Sequence, residues 1–173
     1  MNKRIVLISS GQPSANPRLV KEAVSLSEAG YKIKVLYCPL SLWADPFDNI
    51  LFRSYPKIEW IKVGYHPVNQ KWGYRFARAR QKSYQLLYKY IGNRFDAAIR
   101  SMVLFSQELV REAKKHKADL YLGHNLGALP AVVKAAQSHS ALATFDFEDY
   151  HRGEDVKDSL HWKKTEQIEG MYV

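Results

Sequence analysis

The sequence predicts an α/β fold in which an open, mostly parallel β-sheet carries helices on both faces. The first observation is a βαβ unit near the start of the chain, where two short apolar runs flank a helical pattern that ends in a glycine. The second is that apolar runs and helical patterns continue to alternate along the chain. The third is that 173 residues, of which 46% are hydrophobic, suit a single domain that buries roughly 70% of its unfolded surface.

Each element is predicted from its local pattern. Arg4–Ser9 is a continuous apolar run typical of a buried parallel strand. Asn16 as N-cap, Pro17 at the first helical position and Gly30 at the C-terminal end bound the first helix. Residues 38–55 are predicted to be irregular because prolines interrupt them. The remaining strands are predicted at residues 32–37, 58–63, 119–123 and 141–145. The remaining helices are predicted at residues 71–91, 96–116, 126–137 and from about 160.

The net charge of +9 is concentrated in one stretch of the chain. Residues 60–95 contain eight Lys or Arg and no Asp or Glu, whereas the rest of the chain is nearly balanced. A local excess of one sign indicates a face that meets an anionic partner.

The same stretch has helical periodicity. On a helix over residues 71–91, basic side chains fall within an arc of roughly 60°, beside an apolar arc of roughly 100°. The basic arc contains Lys71, Arg75, Arg78, Lys82 and Lys89. The apolar arc contains Trp72, Phe76, Ala79, Leu86, Leu87 and Tyr90. Such a helix can rest on an anionic membrane surface or hold a phosphorylated lipid acceptor. The alternative is a helix packed into the core, with a solvated basic ridge.

Several classes of protein are excluded by what the sequence lacks. Cys38 is the only cysteine, so no internal disulfide forms, which fits the reducing cytoplasm. No apolar run approaches the roughly 18 residues of a membrane span, and the first apolar segment is too short for a signal peptide. Neither a dinucleotide-binding glycine pattern nor a P-loop occurs, and no spacing typical of metal ligands is present. We therefore expect a cytoplasmic protein, peripheral at most to the inner face of the membrane, with no metal and no cofactor.

Three loops are candidate site segments, because ligands of open parallel sheets bind outside the carboxyl ends of the strands. The first, residues 9–18, contains Gly11, where a ligand can approach the backbone, and precedes a helix N-terminus that favours anions. The second contains His124 and Asn125, which could supply a base or hydrogen-bond a sugar hydroxyl. The third, Asp146–His151, holds carboxylates that could act as a base or anchor a hydroxyl. The alternatives are a capped turn, a turn histidine and a solvated acidic loop.

The same three regions carry a family resemblance. Residues 3–23 read K-R-I-V-L-I-S-S-G-Q-P-S-A-N-P-R-L-V-K-E-A, residues 118–131 read A-D-L-Y-L-G-H-N-L-G-A-L-P-A, and residues 143–154 read A-T-F-D-F-E-D-Y-H-R-G-E. Together they resemble the N-terminal, acceptor-side half of a GT-B glycosyltransferase of the family 4 type. The resemblance implies one Rossmann-like domain over residues 1–173, which is one half of a GT-B fold. It also implies that the C-terminal, donor-binding domain is absent from this chain and acts with it in cis or in trans.

The resemblance implies roles for individual residues. Gly11, with Asn16, matches the loop beside the donor diphosphate. Glu148 occupies the position of the family's frequent catalytic-site histidine, and Asp146 and Asp149 flank it, so these three are the candidate catalytic residues. The implied acceptor-binding residues are His124, Asn125 and His151. A nucleotide-sugar is the implied donor substrate, and a sugar or lipid-linked acceptor is the implied partner.

The resulting hypothesis is the acceptor-binding domain of a nucleotide-sugar-dependent glycosyltransferase in cell-envelope polysaccharide or glycolipid synthesis. The resemblance implies a hexosyl transfer of the retaining kind, with this chain alone inactive. An anionic membrane surface is the expected partner of the basic helix, and nucleic acid is not. The alternative hypothesis is a stand-alone α/β binding module whose basic helix binds an anionic membrane surface or nucleic acid.

Overall fold

The computed structural model describes residues 3–147 and 156–173. Within these residues five strands form one sheet, and every pairing is parallel. The strands are β1 (Arg4–Ser9), β2 (Lys32–Tyr37), β3 (Glu59–Lys62), β4 (Leu120–His124) and β5 (Leu142–Asp146). Their spatial order is β3-β2-β1-β4-β5, so the order reverses between β1 and β4. Ligands of open α/β sheets bind in the crevice at such a reversal.

Helices cover both faces of the sheet, which confirms the predicted fold class. The helices are α1 (Pro17–Glu28), α2 (Asp45–Ser54), α3 (Lys71–Ile91), α4 (Ala97–Met102), α5 (Ser106–Ala113), α6 (Leu129–His139) and α7 (Leu160–Tyr172). On one face, Leu7 of β1 packs with Leu19 of α1. On the other, Ile8 of β1 belongs to a core that includes Leu109 of α5 and Val132 of α6. Alternate residues of one strand thus enter two separate cores.

The predicted boundaries of the first helix are confirmed. The Asn16 side chain accepts a hydrogen bond from the backbone N–H of Leu19 at 3.0 Å, as an N-cap does. At the other end, Gly30 has a φ of 91°, and the N–H of Tyr31 donates to the carbonyl of Leu26. These contacts form a Schellman motif, which ends α1 and turns the chain into β2.

Two sequence predictions are wrong. Residues 38–55 are not irregular, because α2 lies within them and begins with Asp45 and Pro46. At the start of a helix the missing N–H of proline costs nothing, because that N–H would have no partner within the helix. The fixed φ of proline also suits a helix, so Pro46 favours the start of α2. Residues 96–116 are not one helix, since Val103 is extended and separates α4 from α5. The break buries Phe105, whose ring contacts those of two tyrosines, Tyr65 and Tyr74.

None of the helices in the described ranges is long and apolar enough to cross a bilayer.

Candidate functional site

The described residues of the candidate segments predicted from the sequence lie at the carboxyl edge of the sheet. Ser9, the last residue of β1, lies opposite His124 in register, and His124 lies opposite Asp146 of β5. Three side chains from distant parts of the chain therefore stand side by side across the reversal of strand order. Glu148, Asp149 and His151, which the sequence also indicates, lie outside the described residues.

The loops after β1 and β4 are joined by a hydrogen bond. Ser9 Oγ donates to Oδ1 of Asn125 at 2.9 Å, and the N–H of Gly11 donates to Ser9 Oγ at 3.1 Å. Asn125 has a φ of 65° and a ψ of 139°, a conformation that costs a residue other than glycine about 1–3 kcal/mol. At Gly127 the two loops are so close that a Cβ atom would lie 2.6 Å from the Ser10 side chain. The fold therefore holds a strained asparagine at the point where a ligand is expected.

Gly11 has space around it. A Cβ atom there would lie 3.9 Å from Ser9 Oγ and 4.0 Å from Asn125 Oδ1, which are ordinary contact distances. Its φ lies outside the left-handed region, so neither backbone conformation nor packing requires a glycine. The backbone at Gly11 is thus open to close approach, and its contact with a ligand stays a prediction.

The first loop is hydrogen-bonded to α2, a helix that the sequence analysis did not predict. Gln12 is buried and its Nε2 donates to Oδ2 of Asp48 at 2.9 Å, while its Oε1 accepts from the backbone N–H groups of Leu40 and Ser41. The N–H of Ser14 donates to Oδ1 of Asp48 at 2.8 Å. Asp48 lies on α2, within the segment that the sequence analysis predicted to be irregular. No local pattern in the sequence therefore indicated these hydrogen bonds.

A second histidine extends this network towards α3. His66 Nε2 lies 2.8 Å from Oδ2 of Asp45, and its Nδ1 accepts from the N–H groups of Val68 and Asn69. Since Nδ1 accepts twice, the hydrogen bonds assign the proton of the neutral ring to Nε2, which donates to Asp45. The first loop, α2 and the segment that leads into α3 are therefore linked by side-chain hydrogen bonds.

His124 is fully buried between two carboxylates. Its Nε2 lies 2.8 Å from Oε2 of Glu22, and its Nδ1 lies 3.6 Å from Oδ2 of Asp146. Oδ1 of Asp146 lies 3.7 Å from a guanidinium nitrogen of Arg18. Arg18, Glu22 and Asp146 line an open groove of about 520 Å³, so a ligand in it would meet them rather than the imidazole. Arg18 and Glu22 were not identified from the sequence, and their one-turn separation on α1 is the signal that could have found them.

α3 presents three faces. Its inward face consists of Gly73, Tyr74, Ala77, Arg80, Gln81, Tyr84, Tyr88 and Ile91. The predicted basic arc and the predicted apolar arc both face solvent. Trp72 is 80% exposed and Tyr90 is 86% exposed. The apolar arc is therefore not a core-packing surface. The helix does pack into the core, as the alternative expected, but through its inward face, and the basic ridge is exposed.

The charges on α3 divide into one neutralised cation and a free ridge. Arg80 makes two hydrogen bonds to the Glu108 carboxylate, at 2.8 and 2.7 Å, in a largely buried pair. In the part of the chain that the structure describes, Lys71, Arg75, Arg78, Lys82 and Lys89 form no ion pair. The Arg75 guanidinium lies 5.4 Å from the centre of the Trp72 ring, a cation–π distance. An unneutralised cationic ridge thus borders a row of exposed apolar side chains.

The fold matches solved glycosyltransferase structures. The Arabidopsis thaliana UGT89C1 structure complexed with quercetin gives a TM-score of 0.50 at 17% identity, over 97% of this chain and 41% of that one. The same enzyme complexed with UDP-L-rhamnose gives 0.48 at 18% identity, over 97% and 40%. Glycosyltransferase VinC in complex with dTDP gives 0.45 at 17% identity, over 95% and 44%. No family model and no curated protein matches the sequence.

The likeness to UGT89C1 in its quercetin complex defines the fold of the chain. This chain has a glycosyltransferase-like, Rossmann-like α/β fold of the kind that forms one half of a GT-B structure. It spans less than half the length of each of these solved chains.

Proposed function

We propose that this chain is the N-terminal, acceptor-side domain of a nucleotide-sugar-dependent glycosyltransferase of the family 4 type. Its place would be in cell-envelope polysaccharide or glycolipid synthesis. The observation that carries the proposal is the convergence of Ser9, Asn125 and Asp146 at the reversal of strand order, beside the open space at Gly11. A crevice at this position is where open α/β sheets bind their ligands.

The geometry limits what the first loop can contribute to binding a donor diphosphate. The N–H groups of Gly11, Ser14 and Leu19 are already used by Ser9, Asp48 and Asn16 respectively. The bound diphosphate would therefore be stabilised by its close approach to the backbone at Gly11 and by the positive end of the α1 helix dipole. Most of its direct hydrogen bonds would come from a second, donor-binding domain, in cis or in trans.

The acceptor would lie along the groove between α1 and β5. Asp146 is the described carboxylate placed to accept a hydrogen bond from an acceptor hydroxyl, and Arg18 would hold an anionic group of the acceptor. His124 acts as a positioning residue here, because it is buried behind Asp146 and bonded to Glu22. Glu148 and Asp149 would contact the transferred sugar, as the family resemblance implies. The transfer would be of a hexosyl group, with retention of its anomeric configuration.

A pair of matched variants tests the site. Asp146→Asn removes the carboxylate at the carboxyl edge of the sheet, and Asp119→Asn removes an exposed carboxylate at the opposite edge, where it pairs with Arg4. With the donor-binding domain present, we expect sugar transfer to fall by about tenfold or more only in Asp146→Asn, since general acid–base groups contribute roughly 10²–10⁴-fold. Equal transfer by both variants would refute the proposed acceptor site.

The exposed face of α3 supports a location at the inner face of the membrane. The five ridge cations would attract anionic headgroups, each with about 1 kcal/mol near the surface, while the apolar arc would enter the boundary of the acyl chains. A stand-alone binding module remains the second candidate, because Trp72 and Phe76 could also stack on nucleic-acid bases. Leu86 and Leu87 lie on the same exposed arc and have no rings to stack, so the bilayer is favoured.

A further inference from the structure

A strained turn at the end of α3 presents an aromatic ring to solvent. Phe95 has a φ of 58° and a ψ of 33°, and Asp96 follows with a φ of 57°. Asp tolerates this left-handed region, whereas a bulky residue such as Phe adopts it only at a cost in free energy. The Phe95 side chain is 76% exposed, so packing within the described chain offsets little of that cost.

The turn is fixed on both sides of Phe95. The Asn93 side chain accepts a hydrogen bond from the N–H of Ala98 at 2.9 Å, which anchors the turn to α4. The Asp96 carboxylate accepts from Lys134 Nζ at 2.6 Å and from the Tyr172 hydroxyl at 2.9 Å, which anchors it to α6 and α7. Burial works against ionisation of Asp96, but these hydrogen bonds and the nearby cations outweigh it and lower its pKa. The outward position of Phe95 is therefore imposed by the fold.

The surroundings of Phe95 match an anionic bilayer. Tyr90 and Leu86 are exposed on the last two turns of α3, and Lys89 and Arg94 are exposed beside them. A ring held out in water exposes apolar surface, and an external apolar phase would return the free energy of burying that surface. The surrounding positive charge selects an apolar phase with an anionic surface.

We propose that Phe95 is a hydrophobic wedge that enters the acyl region of an anionic membrane and anchors the C-terminal end of α3. This inference depends on the proposed membrane location. It adds that the Phe95 ring penetrates the bilayer, in addition to the electrostatic adsorption of the α3 ridge. The ridge cations contribute an electrostatic attraction to the membrane, which salt screens. The Phe95 wedge contributes the part of the membrane binding that persists at high salt.

Two substitutions at one position test the wedge without unfolding the protein. Phe95→Asn suits the left-handed conformation and removes the ring, whereas Phe95→Leu keeps an apolar side chain. Leu142→Asn is the matched control, because Leu142 is 72% exposed on β5, outside α3 and the turn. The assay is sedimentation with phosphatidylglycerol–phosphatidylcholine vesicles at low salt and at 1 M salt, where the Debye length is about 3 Å. We expect salt-resistant binding to weaken about tenfold to a hundredfold in Phe95→Asn only, with an unchanged or higher melting temperature.

A label reports the depth of insertion directly. Cys38 is buried, and burial together with the charge of Glu108 raises the pKa of its thiol, so a new surface cysteine is labelled selectively. An environment-sensitive dye on Phe95→Cys is expected to be quenched by spin-labelled acyl chains, and the same dye on Leu142→Cys is not. Bound protein with an unquenched Phe95→Cys dye would overturn the wedge and leave the membrane location standing. Wild-type protein that does not bind anionic vesicles would overturn both, and a Phe95 that serves only to dimerise or to bind nucleic acid would overturn the wedge alone.

Discussion

Charge reversal on α3 gives a quantitative test of the proposed membrane location. Arg75→Glu with Arg78→Glu changes the net charge from +9 to +5 and reverses two members of the ridge. Both side chains are exposed, so the fold should tolerate the change. In the variant, Glu at position 75 would lie one turn from Lys71, and Glu at position 78 one turn from Lys82, which helps the helix slightly.

The size of the effect follows from the number of charges that change sign. Each Lys or Arg near an anionic surface contributes about 1 kcal/mol, so two reversals remove two attractions and add two repulsions, about 4 kcal/mol in all. That corresponds to a partition coefficient roughly 10³-fold lower, since each 1.4 kcal/mol is about tenfold. Screening reduces this figure as the ionic strength rises, because the Debye length is about 10 Å at 0.1 M.

The assay is sedimentation with anionic vesicles at low salt, and its control keeps the net charge equal. Lys114→Glu with Lys117→Glu also gives +5, but it alters exposed lysines that follow α5. We expect the α3 variant to lose binding and the control to keep most of it. Equal loss in both variants would show that total charge matters rather than the ridge, and no loss in either would refute the reasoning.

Three further predictions concern the stability of the site and its supports, each measured by urea unfolding. Gly127→Ala should lower the free energy of unfolding by about 1–3 kcal/mol, because the added Cβ atom would overlap the first loop. Gly11→Ala should change the free energy of unfolding by less than about 0.5 kcal/mol, because its Cβ atom meets only ordinary contacts. Similar losses in the two variants would contradict the observed packing. Glu108→Gln should cost about 3 kcal/mol, since it leaves the largely buried Arg80 without its anion, and a neutral result would mean that the pair is solvated. The lowered pKa of Asp96 means that its contribution is complete above the ordinary carboxyl pKa of 3.8 and is lost as the pH falls through the lower folded value. Wild type should therefore converge on Asp96→Asn in stability as the solution is acidified below about pH 4, and a gap that does not narrow would contradict this.

The parts of the fold that depend on local chemistry could be predicted from the sequence. Apolar runs indicated the strands, and Asn16, Pro17 and Gly30 bounded α1, because capping and turn preferences involve only neighbouring residues. The parts of the fold that depend on contacts between distant residues could not be predicted from the sequence. The break between α4 and α5 exists because Phe105 packs against tyrosines far away in sequence, and helical periodicity cannot register such contacts.

The candidate site shows the same division. The position of Gly11, Asn125 and Asp146 at the carboxyl edge of the sheet could be predicted, because ligands of parallel sheets bind beyond the strand ends. Glu22 was missed because its contact with His124 joins residues 102 positions apart. Periodicity also gave the two outer arcs of α3 correctly, but it could not tell which side of the helix faces the core, since that side is lined partly by tyrosines and polar residues.

The measurement that tests the central claim most directly is sugar transfer by the protein as it is isolated from its source cells, with any domain or partner that accompanies it. Labelled UDP-, dTDP- and GDP-sugars are supplied one at a time with membranes from the same cells, and label is followed into lipid-extractable and polymeric products. We predict that at least one donor labels such a product and that Asp146→Asn reduces the labelling. No transfer from any donor, or transfer that is indifferent to Asp146, would contradict the account.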